Sequence, residues 1–65
     1  MTYPDVSRSL TSEVLLMIDS AGKRHVGYFH CNGRFYRWDK QSGLTTLVDN
    51  IVSWEYLNHK EENEN

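Results

Sequence analysis

Four side chains of this 65-residue sequence could bind a metal or move a proton near neutral pH: His25, His30, Cys31 and His59. A zinc centre needs three or four such ligands converging within about 2.0–2.3 Å of one point. Side chains alternate along a strand, so His25 and His30 face opposite ways, while Cys31 falls in a turn and His59 in an acidic end. The spacing predicts no metal centre and no cofactor. Ser, His and Asp are present, but without a nucleophile elbow, a glycine-rich phosphate loop or a paired-carboxylate spacing. The single cysteine excludes an intramolecular disulfide framework and a Cys-based zinc cluster, and no cationic helix end is available to activate its thiol. A chain this short buries only about 60% of its unfolded surface, which leaves little scaffold to hold a catalytic base. The expectation is that the protein is not an enzyme.

Two further groups of residues carry charge in a pattern. Residues 20–47 hold Lys23, Arg24, Arg34, Arg37 and Lys40 against Asp39, a balance of +4, interleaved with Tyr28, Tyr36 and Trp38. Cations along a groove with rings for bases to stack on are the requirements of a single-stranded nucleic-acid platform. The competing explanation is a core of aromatics with cations guarding strand edges. A pI near 5.8 and the placing of Arg34 and Arg37 on opposite faces favour that explanation. Residues 48–65 hold Asp49, Glu55, Glu61, Glu62 and Glu64 against Lys60, a balance of -4. Carboxylate rows can stand in for DNA phosphates, but three of these five lie in the terminal stretch, where a solvated charge run is the ordinary reading.

The elements that must position these groups read as an all-β meander. Val, Ile, Leu and Phe make up 15 of 65 residues, just above the ~20% below which a charged chain stays disordered. Tyr, Trp and Met add enough apolar surface for a small core. Residues 1–12, Ser- and Thr-rich with the only Pro, read as an irregular lead-in or at best an edge segment, and residues 58–65 as a disordered acidic tail. Residues 13–57 form the single β domain, four to five antiparallel strands separated by Ser20-Ala21-Gly22, Cys31-Asn32-Gly33-Arg34, Asp39 to Gly43, and Asp49-Asn50. Alternation places Val52, Trp54 and Tyr56 on one face of the last strand. No apolar run approaches the roughly 18 residues of a membrane helix, and the first twelve residues lack the layout of a signal peptide. The expected setting is soluble, reducing and cytoplasmic, with no membrane partner.

Asn32-Gly33 is the strongest short-range hairpin signal, and as a two-residue type I′ loop it fixes the register. His30 then lies opposite Phe35, Phe29 opposite Tyr36, Tyr28 opposite Arg37, and Gly27 opposite Trp38. One face carries Phe29, Tyr36 and Trp38, with the Trp38 ring over Gly27; the other carries Val26, Tyr28, His30, Phe35 and Arg37. The loop at Ser20 to Lys23 admits two or three residues, so the first hairpin's register stays open. In its strand, Leu15 and Met17 lie on one side and Val14, Leu16 and Ile18 on the other. Both sheet faces are partly apolar. Either the sheet curls into a small SH3-like barrel or another chain covers the second face.

Val14-Leu15-Leu16-Met17, Gly22, Gly27-Tyr28-Phe29, Gly33-Arg34-Phe35-Tyr36 and Ile51-Val52-Ser53-Trp54-Glu55-Tyr56-Leu57 together resemble a small phage and prophage family of unknown function. The likeness spans residues 14–57 and is made of strand and turn residues. It implies a small β fold and a bacterial host cell, and attaches no catalytic or binding residue. The combined expectation is a non-enzymatic phage accessory protein that binds itself and a host protein, with a defence or regulatory factor as the host target. Tyr28, Arg34, Tyr36, Arg37, Trp38 and Trp54 are its candidate binding residues, because Trp, Tyr and Arg dominate interface hot spots. A single-stranded nucleic-acid platform is the rival.

Overall fold

Glycines close the hairpins of this chain. In the computed structural model, which describes residues 2–58, the strands are β1 (Leu15–Asp19), β2 (Arg24–Phe29), β3 (Phe35–Trp38), β4 (Thr45–Val48) and β5 (Ile51–Tyr56). They form one antiparallel sheet in the order β4-β3-β2-β1-β5, and no helix occurs among the described residues. The acidic stretch from residue 59 onward lies outside the described residues.

The first two hairpins share one device. In the first, Asp19 N–H donates to Lys23 O at 3.0 Å and Gly22 N–H to Asp19 O at 2.9 Å, closing the three-residue loop Ser20-Ala21-Gly22. In the second, His30 N–H donates to Arg34 O at 2.8 Å and Gly33 N–H to His30 O at 2.9 Å. Gly22 and Gly33 take φ of 84° and 89°, the left-handed region that a three-residue loop assigns to its last residue. The side chain before each loop caps it: Asp19 Oδ1 accepts from Ala21 N–H at 2.9 Å, and His30 Nδ1 from Asn32 N–H at 3.0 Å.

This geometry corrects the expected β2–β3 register. A type I′ turn needs positive φ at Asn32 as well as at Gly33, and Asn32 does not adopt it. Asn32 instead uses its side chain, Oδ1 accepting from Arg34 N–H at 3.0 Å. The loop therefore has three residues, and every pair moves by one: Phe29 faces Phe35, Tyr28 faces Tyr36, and Gly27 faces Arg37. A shift of one residue turns a strand's side chains over relative to its neighbour. Phe29 and Phe35 thus share the core side, ring centroids 4.9 Å apart, while Tyr36 and Trp38 leave that side and Trp38 does not cover Gly27.

The core consists of Leu15, Met17, Phe29, Phe35 and Ile51, with Val6, Val48, Trp54 and Tyr56 packed around it. In β5, Ser53 pairs with Ile18 but Ile51 pairs with Asp19, so Val52 is an extra residue. This bulge corrects the expected Val52, Trp54, Tyr56 face: Ile51 points inward and Val52 is exposed.

Chain connectivity forces the sheet to curl. The outer strands of a flat five-stranded sheet lie about 19 Å apart, four spacings of about 4.8 Å. Only Asp49 and Asn50 join edge strand β4 to edge strand β5, and three Cα–Cα steps span at most about 11 Å. The two edges must meet at that corner. They do not pair, so the sheet stays open rather than closing into a barrel.

The lead-in packs over the concave side. Tyr3 stacks on Phe29 with centroids 5.2 Å apart, Pro4 is buried, and Val6 joins the core. Trp54 Nε1–H donates to Thr2 O at 2.8 Å, and Asp5 N–H to Tyr56 Oη at 3.1 Å. Ser12, also buried, donates its N–H to Phe29 O at 2.8 Å and accepts Phe29 N–H on Oγ at 3.0 Å.

Gly27 sits where β2 and β3 approach too closely for a side chain. A Cβ built there lies 1.9 Å from the Tyr36 carbonyl oxygen, a backbone atom held by the neighbouring strand. Gly27→Ala is expected to cost about 2–3 kcal/mol as an overpacked core site does. At about 4–8 °C per kcal/mol for a domain this size, the melting temperature should fall by roughly 10–20 °C. Thermal unfolding followed by circular dichroism checks this; an unchanged midpoint refutes the close approach.

Candidate binding face

The corrected register gathers three of the six candidate residues. Tyr28 and Tyr36, cross-strand partners, stack with centroids 5.6 Å apart and planes 23° apart, on the convex face away from the core. Asn32 Nδ2–H donates to Tyr36 Oη at 3.0 Å and the His30 ring meets Tyr36 edge-on at 6.0 Å, so the hairpin loop holds this ring in place. Trp38 stands two residues further along β3 on the same face, 47% exposed.

The other three lie elsewhere. Arg37 is half-buried and pairs with Gly27 and Thr46, which puts it on the concave side with Phe35. Arg34 is exposed at the hairpin end, beside the corner opening lined by Tyr3, Phe35, Val48 and Ile51. Trp54 packs against the core and edge-on to Tyr56 at 5.1 Å, its indole N–H spent on Thr2.

Aliphatic side chains that the hot-spot argument did not select complete the convex face. Leu47 pairs with Tyr36, and Leu16 pairs with Val26. Val14 and Leu57, 42% and 50% exposed, adjoin each other through the bond from Leu57 N–H to Val14 O. The signal for them was present in the alternation, since each is out of phase with a core residue. A hollow of about 570 Å³ opens on this face, lined by Val14, Val26, Trp38 and Leu57, with Glu13 and Lys40 on its rim. Arg24, opposite Ile18, and Glu55, opposite Leu16, add one charge of each sign.

The polar constellations with chemical potential are engaged in structure. His25 Nε2 and Asp19 Oδ2 lie 2.9 Å apart, nearly buried on the concave side, and Asp19 Oδ1 also accepts Lys23 N–H at 2.9 Å. Among the described residues no three His, Cys, Asp or Glu side chains gather as metal ligands; Cys31 is exposed in its loop, and His59 lies outside the described residues.

No protein family, curated protein or solved structure matches this chain. The phage resemblance rests on its strand and turn residues alone. No helix among the described residues is long and apolar enough to cross a membrane.

The Asp19 carboxyl is held below its ordinary value near 3.8, first by the hydrogen bond with His25 and then by the Lys23 N–H, with burial opposing them. A carboxylate whose pKa falls on folding stabilises the native state above its unfolded pKa, and this contribution is lost as pH drops through the folded value. Asp19→Asn keeps an oxygen for the loop N–H groups but removes the charge. It should lower stability at pH 7 and flatten the loss of stability below about pH 4. Urea unfolding across pH 2–7 measures both; parallel pH profiles for the two proteins would contradict the assignment.

Proposed function

We propose that this protein is a non-enzymatic binding module whose convex sheet face docks another protein. The observation that carries the reading is the apolar convex face running from Leu47 through Tyr36, Tyr28 and Val26 to Leu16, across β4, β3, β2 and β1, with Val14 and Leu57 beside it; β5 adds Ser53 and Glu55. The solvent side of an antiparallel sheet ordinarily alternates to polar residues. Here the chain's own lead-in packs against the concave side, and among the described residues no segment packs over the convex apolar face. Rigid aromatics on a strand scaffold are the usual anchors of an interface. A host protein as partner, in the bacterial cytoplasm, follows from the phage resemblance and belongs to the same proposal.

One observation favours a nucleic-acid platform: Tyr28, Tyr36 and Trp38 share a face with Arg24 and Lys40. Three others weigh against it. Arg37 is turned to the concave side, the two Tyr rings stack on each other, and Glu13 and Glu55 stand on the same face as the cations.

A photo-crosslinking residue at Leu47 should capture a protein that the same residue at Ser42 does not. For the captured protein, Trp38→Ala should weaken binding by about 2 kcal/mol, roughly thirtyfold in Kd, as loss of a hot spot does. Binding unaffected by Trp38→Ala, or tight oligonucleotide binding with a steep salt slope, overturns the reading.

A further inference from the structure

The convex face is divided into two unlike halves. On the β3 side of the hollow stand the half-exposed ring of Trp38 and Lys40; on the β1 side stand Val14 and Leu57, equally exposed, and Glu13. An aromatic ring and positive charge lie on one side, aliphatic side chains and negative charge on the other. Such a surface meets its own copy face to face, each half on the unlike half, after a half-turn about an axis that lies in the face, parallel to the strands and over β2. Such isologous contacts are the commonest way identical chains associate, each residue i meeting j while j meets i.

We propose, on the docking-face reading above, that the occupant is a second copy of this chain. The twofold axis runs parallel to the strands over Val26, Trp38 of each copy lies against Val14 and Leu57 of the other, and Lys40 of each faces Glu13 of the other. The contact closes on itself and leaves neither copy with an unmatched half, so it yields a dimer and not a fibre. Its extent is modest. Five strands of about 4.8 Å spacing and five residues of about 3.4 Å rise give a face of roughly 400 Å² in projection. A standard interface covers about 800 Å² per partner, so this dimer belongs with the weak, transient associations.

Charge exchange tests the arrangement. Sedimentation equilibrium of the full chain up to roughly 1 mM, the range a contact this small requires, should show reversible dimerisation. Lys40→Glu and Glu13→Lys each place like charges against each other in both symmetry-related pairs, and each variant alone should dimerise at least fivefold more weakly. An equimolar mixture of the two variants carries attractive pairs at both positions of the mixed dimer and should recover association to within about twofold of the unmodified chain. Recovery by mixing distinguishes a contact between copies from one within a chain, which mixing cannot restore. Both positions are exposed, and equal melting temperatures of dilute samples verify that the variants fold. A monomer at the highest concentration, or a mixture no better than its components, overturns the second copy as occupant. The docking face itself is tested separately, by the Leu47 crosslink and Trp38→Ala.

Discussion

The left-handed conformation of Gly33 sets the phase of everything built on β3. It allows a three-residue loop in which Asn32 keeps an ordinary backbone and spends its side chain on Arg34 N–H, Tyr36 Oη and the loop geometry. With that loop length, Phe35 turns toward Phe29 and the core, and Tyr36 and Trp38 turn away with Tyr28. A loop one residue shorter would bury Tyr36 in place of Phe35 and break the aromatic row into halves on opposite sides. Since β3 also templates β4, the position of Leu47 beside Tyr36 and of Val48 beside Phe35 follows from the same glycine.

A second constraint divides the two faces by their partners. The Asp49-Asn50 link draws the sheet edges together at one corner, and Tyr3, Pro4 and Val6 pack against the resulting concave side. The lead-in does for the concave side what a second sheet does in a sandwich. It is anchored by polar bonds at spaced points, Trp54 Nε1–H to Thr2 O and Asp5 N–H to Tyr56 Oη, and its end pairs with the sheet through a single antiparallel bridge between Thr11 and His30, with Ser12 N–H on Phe29 O and Cys31 N–H on Leu10 O. Among the described residues nothing comparable reaches the convex side. The asymmetry between a face closed by the chain and a face left apolar gives the binding reading its physical content.

The five strands were legible because each alternates or runs apolar between turn residues, and the Leu15, Met17 against Leu16, Ile18 division follows directly from a period of two. Two things were hidden. Asn-Gly serves both a two-residue loop with two left-handed residues and a three-residue loop with one, and local sequence does not choose between them; the packing of Phe29 on Phe35 does. That choice decided which candidates came together, so Tyr28, Tyr36 and Trp38 gathered on one face while Arg37 turned to the other side. The roles of Tyr3 and Val6 were also hidden, because a Ser- and Thr-rich stretch without periodicity gives no sign that it will be pressed against a core. Trp54 was chosen for its residue type, but its indole N–H and ring are engaged on the concave side.

Among the described residues the core holds five buried apolar side chains, small even for this length, and Leu15 and Met17 are the large ones fully enclosed. Apolar burial yields about 25 cal/mol per Å² removed from water, and it must offset an ordering cost of order 1–2 kcal/mol per residue. Covering the convex face would add apolar burial without ordering any further backbone, because the strands that carry it are already fixed by the opposite face. Whatever docks there, and does not bind the unfolded chain, therefore raises the stability of the fold by mass action. Folding and docking are linked through the same sheet: the side that faces inward determines the geometry, and the side that faces outward returns stability when it is covered.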